Sequence, residues 1–342
     1  MKILSIDTSC DETSVAVTEG VRVLSNTISS QVRYHKKYGG VVPMLAGRLH
    51  AERIESVIAE SLQTAGITEI ELEAIAVTYG PGLAPALQVG IATATAWAER
   101  LDLPLYGVNH MKGHIVGCFA QVGSKMAPLP KYPALVVLMS GSHSELVRMD
   151  SFTEYHILGQ TLDDALGEAY DKVGRMLGLG YPGGKLVAKL AQQGNSTVYS
   201  LPIPMQRSGN LNLSYSGLKN AVRLLIDEEK PLNLEKTANI AASFERSAQQ
   251  SVVDKVKKAL AEYPDTQQLL LGGGVAANSN LRSNLRAVAK EFEIPFLTPP
   301  NLKLCTDNAG MIGVAAYFGI EAGQQPVEEI PLDRVPYLSL EN

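Results

Sequence analysis

The stretch KILSIDTSCDETSVAVTEG, residues 2–20, reads as a strand, a polar turn and a returning strand. VRVLSNTIS (21–29) supplies a third strand. The design returns in the second half: PALVVLM (133–139) is a strand, SGSHS (140–144) a polar turn, ELVRMD (145–150) the return strand and EYHIL (154–158) a third. Each half then adds a strand, a Gly-rich turn and a helix. In the first half these are AIAVTYG (74–80), Gly80-Pro81-Gly82 and an Ala-rich helix over 84–101; in the second they are QQLLLGGGVAAN (267–278) and the helix after it. Apolar residues Ile54, Val57, Ile58 and Leu62 mark a further helix by their spacing. The halves share no evident sequence identity, so the repeat is architectural. Two similar α/β lobes facing each other across a cleft account for it. They are expected over 1–127 and 128–307, with a final helix and tail (308–342) packing back on the first.

The chain of 342 residues is 45% hydrophobic and 19% charged, enough for substantial buried cores. Cys10, Cys118 and Cys305 are odd in number and far apart, which fits a reducing cytoplasm and excludes a disulfide framework. The N-terminus lacks a signal-peptide pattern and no apolar run approaches the roughly 18 residues of a membrane span, so a cytoplasmic protein is expected. Net charge is −5. The densest basic cluster, RYHKKYGG (33–40), reads by itself as a solvated loop. Any grip on nucleic acid is then local or supplied by a partner.

HMKGH (110–114) places two of only six histidines four apart, where chance predicts about 0.1 such pairs. On a helix both rings share one face and can address one metal ion. A zincin protease needs Glu after the first His; this chain has Met111. Asp307 in CTDNAG (305–310) is a candidate third ligand, although Asp307 or Asn308 also suits a helix N-cap. A His/His/carboxylate set points to zinc or ferrous iron with open positions. DTSCDETS (7–14) and SGSH (140–143) are turns able to cradle phosphate, with Asp7, Asp11 and Glu12 as acids at the first. GGGVAAN (272–278) offers close backbone approach and a helix start to an anion, without being a Rossmann or Walker motif. TLDDALGEAYDKVGRMLGLGYPGG (161–184) reads as a capped helix ended by YPGG, with Asp164, Glu168 and Asp171 on one face. Those carboxylates need a ribose, a metal-bound substrate, or simply Lys and Arg as partners.

Together DTSCDETS, YGGVVP (38–43), YGPGL (79–83), NHMKGH (109–114), SGSHSEL (140–146), DDALGEAYDKVGRMLGLGYPGG (163–184), LSYSGLK (213–219), GGGVAAN and CTDNAGMI (305–312) resemble one family in order along nearly the whole chain. It is the universal transferase of tRNA threonylcarbamoyladenosine synthesis, TsaD in bacteria, once labelled a glycoprotease. The resemblance implies an α/β fold of two duplicated RNase H-like lobes, that of actin, Hsp70 and sugar kinases, around a nucleotide cleft. It implies transfer of a threonylcarbamoyl group from threonylcarbamoyl-AMP to the exocyclic amine of the adenosine beside the anticodon, in tRNAs reading codons that begin with A. His110, His114 and Asp307 would hold one iron or zinc ion. Leu138, Met139, Ser140, Gly141, Ser142, Asp171, Gly184 and Asn278 would line the site for ATP, ADP or the adenylate. Asp11 or Glu12 is expected to position the amine or the metal. Implied partners are tRNA, a TsaB-like paralogue on the first lobe, a TsaE-like ATPase and a TsaC-type synthase. Met44, Ser142 and Pro85 depart from the usual family pattern; a serine held at positive φ at 142 costs roughly 1 kcal/mol. Rival readings are a nucleotide-binding scaffold subunit, a small-molecule kinase of the same fold, and a protease.

Overall fold

A computed structural model of the chain describes residues 1–328 and 332–341. β1 (Lys2–Asp7) pairs antiparallel with β2 (Glu12–Glu19), Asp7 opposite Ser14, and β2 pairs antiparallel with β3 (Arg22–Ser30). After α1 (Val32–His35) and α2 (Pro43–Ala65), β4 (Ala74–Gly80) adds parallel to β1. α3 (Ala84–Leu101) leads to β5 (Leu105–Asn109), parallel to β4, and to α4 (His110–Val116). The sheet order is β3-β2-β1-β4-β5.

The second sheet repeats this. β6 (Ala134–Met139), β7 (Ser144–Met149) and β8 (Tyr155–Gln160) form the meander. The helices α5 (Leu166–Met176), α6 (Gly183–Ala191), α7 (Ser216–Glu229) and α8 (Leu234–Glu262) follow. β9 (Gln268–Gly272) then joins β6 in parallel, α9 (Ser279–Glu291) crosses to β10 (Phe296–Leu297), and α10 (Ala309–Glu321) comes last. The order is β10-β9-β6-β7-β8, so in each sheet the third, second, first, fourth and fifth strands run side by side. Two such sheets make the expected duplicated RNase H-like architecture. The chain forms two compact units: Met1–Lys131, Asp150–Tyr155 and Thr298–Asn342 in unit 1, and Tyr132–Met149 and His156–Leu297 in unit 2.

Strand alternation sorts the chemistry of unit 1. Leu4 and Ile6 of β1 point with Val15 and Val17 into a core closed by Ile54, Val57 and Ile58 of α2 and Leu87 and Ile91 of α3. Ser5 takes the opposite face, where its hydroxyl donates to the Ala309 carbonyl at 2.7 Å. α10 approaches closely enough that a Cβ at Gly313 would collide with Ser5 and Thr18. The last helix therefore packs against the first sheet. Asp7, two residues beyond Ser5, shares that face.

Three local expectations change. Residues 161–165 are not helical: Thr161 pairs with Leu213 and donates to the Asp164 carbonyl, so α5 begins only at Leu166. YPGG does not end that helix; α5 stops at Met176 and Gly183 opens α6. The glycines of 272–274 run into a short 3-10 turn (Gly274–Ala277), and α9 starts after it with Asn278 as its side-chain cap. Among the described residues no helix is long and apolar enough to cross a membrane.

Candidate functional site

Asn109 ends β5 and caps α4, its side chain accepting from the Met111 N–H at 2.9 Å. This fixes the helix start directly under the two histidines. Their ring centroids lie 4.6 Å apart with the planes at 80°. Asn308 takes the capping role at α10, accepting from the Met311 N–H at 3.0 Å. Asp307 is thereby left to face the rings: its Oδ1 lies 3.2 Å from His114 Nε2 and 3.5 Å from His110 Nε2. One ligand atom from each of the three residues falls within 4.8 Å of the others.

Both histidines are buried; His114 Nδ1 has no hydrogen-bond partner among the described residues, and Nε2 has only the Asp307 carboxylate at 3.2 Å. A buried polar atom without a partner is costly, and a metal ion held by these three residues would offset that cost. Electrostatics agree. Burial alone would push His110 down, but Asp7 and Asp307 outweigh it and raise its pKa to about 10. Asp307 lies well below the usual carboxylate range because His110 overcomes the effect of burial. Burial lowers His114, which favours the neutral, ligating imidazole. The cluster thus calls for positive charge, and its donor set suits a zinc or ferrous ion.

Behind His110 stands Asp7, fully buried, with Oδ1 3.5 Å from His110 Nδ1, the nitrogen not directed at Asp307. The same Oδ1 accepts from the Ser9 N–H at 3.2 Å. Asp11, in the adjoining turn, has its carboxyl pKa raised by burial and by the charge of Asp307. Glu12 is placed differently: it opens β2 opposite Ser30, whose hydroxyl donates to Glu12 Oε1 at 3.1 Å.

In unit 2, Leu138 and Met139 end β6 fully buried. Ser140 N–H donates to the His143 carbonyl at 2.8 Å, and the His143 N–H donates to Ser140 Oγ at 3.0 Å, leaving Gly141 and Ser142 at the tip. Two glycines let other backbones meet this turn. A Cβ at Gly167 would strike the Ser140 carbonyl, and one at Gly273, φ +86°, the Met139 carbonyl. Asp171 Oδ1 accepts from the Gly184 N–H at 2.6 Å, while burial raises its carboxyl pKa. Asn278 donates to Glu245 Oε1 at 2.7 Å and accepts from the Asn280 and Leu281 N–H groups. Tyr170 also donates to Glu245 Oε1, at 3.2 Å. Of the sequence-predicted residues of unit 2, Leu138 to Ser142 lie at the end of β6, Asn278 lies in the turn after β9 tied to buried Glu245, and Asp171 and Gly184 meet each other between α5 and α6. Asp164 and Glu168 find the plainest of the partners foreseen for them: Lys172 contacts both, at 2.6 and 2.8 Å, and Lys219 reaches Asp164 at 2.5 Å.

Residues 22–314 match the family model of TsaD, tRNA N6-adenosine threonylcarbamoyltransferase. The chain belongs to the TsaD family. A TsaD-family transferase of Symbiobacterium thermophilum is 46% identical over 339 residues, covering 99% of this chain and 96% of the relative. One from Enterococcus faecalis is 46% identical over 93% of this chain and 90% of its own length. Both carry the same name, tRNA N6-adenosine threonylcarbamoyltransferase. The chain is accordingly an enzyme, a tRNA-modifying transferase, and the kinase, scaffold and protease readings give way. HypF of T. kodakarensis superposes with a TM-score of 0.60 at 12% identity, covering 94% of this chain and 48% of that one, a likeness of fold.

The departures from the usual family pattern are mild in the structure. Ser142 is absent from the described non-glycine residues with positive φ, so the strain foreseen for it does not arise. Pro85 sits in the first turn of α3, where no N–H is needed, and Met44 is an exposed residue at the start of α2. Sequence reasoning gives Asp7 only as one of three acids at the first turn, without its place behind His110, and does not single out Glu245. The signal for Glu245 was a mid-helix pair, Glu245 and Gln249, four apart within the run ASFERSAQQS (242–251), rich in small residues.

Proposed function

We propose that the chain transfers the threonylcarbamoyl group of threonylcarbamoyl-AMP to the exocyclic amine of the adenosine beside the anticodon, in tRNAs reading codons that begin with A. The amine nitrogen forms a bond to the carbamoyl carbon, the bond from that carbon to the phosphate oxygen breaks, AMP departs, and the amine loses a proton. The observation that carries this reading is the group of buried His110 and His114 with half-buried Asp307 within a TsaD-family chain.

His110, His114 and Asp307 would hold one iron or zinc ion. Bound there, the cation would supply Lewis acidity to the phosphate or carbamate oxygens of the donor. Asp11 would accept an N–H of the incoming amine and orient it, with Glu12 bracing the same turn through Ser30. Leu138, Met139, Ser140, Gly141 and Ser142 would offer the β6 tip to the adenylate, or to ATP or ADP. Asp171 and Gly184 would supply a carboxylate and close backbone approach, and Asn278 would hold the β9 turn through Glu245. The cytoplasm is the setting this reading implies. A TsaC-type synthase would make the donor, and a TsaB-like paralogue and a TsaE-like ATPase would assist.

The test begins with metal content. The purified chain should carry about one iron or zinc per polypeptide, lost in a His110→Ala, His114→Ala double variant, and the loaded protein should modify tRNA given synthetic threonylcarbamoyl-AMP. Failure to bind either metal on reconstitution would remove the metal assignment. Metal without transfer, even with the partner proteins added, would remove the reaction.

A further inference from the structure

The basic cluster at 33–38 gains from the structure what its sequence lacked: a rigid base, an aromatic partner and a place beside the catalytic turn. Gln31 donates its N–H to the Asp11 carbonyl at 2.9 Å. Its side chain meets buried His35 at 3.1 Å, and His35 Nδ1 accepts from the Val42 N–H at 3.3 Å. The segment is therefore fastened both to the Asp11 turn and to the start of α2. On this base, the guanidinium carbons of Arg33 and Arg53 each lie 4.7 Å from the ring centre of Tyr34, and Lys37 lies 4.9 Å from that of Tyr38.

Several surface cations elsewhere in the chain pair with acids, among them Arg48–Glu52, Arg100–Glu69, Arg148–Asp265 and Lys257–Glu291. Among the described residues Arg33, Lys36, Lys37 and Arg53 have no carboxylate within ion-pair distance. Like charges gathered at one ring repel unless an anion joins them. Tyr38, 57% exposed, presents an aromatic surface at the end of the segment. Cations with an exposed aromatic are what an unpaired RNA loop requires: charge for its phosphates and a ring for an unstacked base.

We infer that Arg33, Lys36, Lys37, Tyr38 and Arg53 form the docking surface for the single-stranded loop of the tRNA substrate, delivering its adenosine to the Asp11 turn. This rests on the transfer reading above and answers how a chain of net charge −5 grips a polyanion. The grip is a local, unpaired set of cations.

The experiment measures binding of an unmodified tRNA transcript to the metal-loaded chain by fluorescence anisotropy across a salt series. A Lys36→Ala, Lys37→Ala double variant should flatten the slope of log K against log salt by about 1.4, two phosphate contacts at about 0.7 each. Tyr38→Ala should weaken binding by about fivefold or more, and Tyr38→Phe should restore it. Metal content should match wild type in every variant, since these side chains are exposed or half-buried and lie outside the histidine cluster. An unchanged slope with Tyr38→Ala binding within twofold would overturn the docking surface while leaving the transfer reading intact. Variants that instead lose a protein partner and keep tRNA affinity would reassign the surface to that partner. No tRNA binding or modification by the metal-loaded wild type with its partners would overturn both readings.

Discussion

Asp7→Asn is the substitution that most directly examines how unit 1 prepares its proposed metal ligands. Asparagine keeps the shape and can still accept from the Ser9 N–H, so the chief loss is a negative charge 3.5 Å from His110 Nδ1. At an effective dielectric of about 20, a full charge pair at that distance is worth roughly 5 kcal/mol. A metal-bound imidazole carries only part of that charge at its far nitrogen. Carboxylates that orient ligating histidines change metal affinity by about 10–100-fold, or roughly 1.4–2.7 kcal/mol. Competition with a chromophoric chelator should therefore show zinc binding weakened within that range in Asp7→Asn. The His110→Ala, His114→Ala variant should lose it altogether. Urea unfolding of the metal-free proteins supplies the control, because damage to β1 would lower the midpoint whether or not metal is present. Zinc affinity within twofold of wild type, in a folded Asp7→Asn protein, would refute the orienting role.

Other consequences follow from buried groups. Gly273→Ala forces φ +86° on a residue with a Cβ and drives that Cβ into the Met139 carbonyl, so unit 2 should lose about 2–4 kcal/mol, read as a lowered urea midpoint. Asp164→Asn leaves Lys172 and Lys219 facing each other without their shared carboxylate, which should cost about 1–2 kcal/mol at neutral pH. Lys172 and Lys219 overcome burial to lower the Asp164 pKa, so its contribution is complete above 3.8 and fades as pH falls through the folded value; chemical denaturation at pH 7 and pH 3 measures the difference. His50 hydrogen-bonds to Thr13 at 2.8 Å and the Cys10 carbonyl at 3.0 Å, and burial holds it below the ordinary 6.5. Its contribution is then complete above 6.5 and lost as pH falls through the folded value. His50→Ala should cost about 2–4 kcal/mol at pH 7.5 and less at pH 5, and an equal cost at both would contradict this.

The repeated meander and the parallel strands after it were readable because apolar runs such as ALVVLM and QLLLG carry their own burial signal and are bounded by polar or glycine turns. The histidine pair was readable because its spacing is local to one helix. Asp307 could be nominated but not decided, since capping and ligation favour the same kind of position. Only the structure shows Asn308 taking the cap. Boundaries failed where a side chain had a long-range partner: Thr161 reads as a helix start until Leu213, far along the chain, takes its backbone.

Asp7 illustrates the deeper limit. Its role depends on three facts that lie far apart in sequence: the alternation of β1, the packing of α10 over the Ser5 face, and the entry of α4 from β5. Each follows from local rules, yet none names the residue that stands behind His110. Strand alternation places Asp7 on the face of Ser5, Ser5 meets Ala309 there, and Asp307 lies just before α10. The buried carboxylate so placed raises the His110 pKa, a change of charge balance that no spacing rule encodes. Ligands that share a helix face are visible in one dimension, whereas the groups that tune them are set by which faces of separate elements meet.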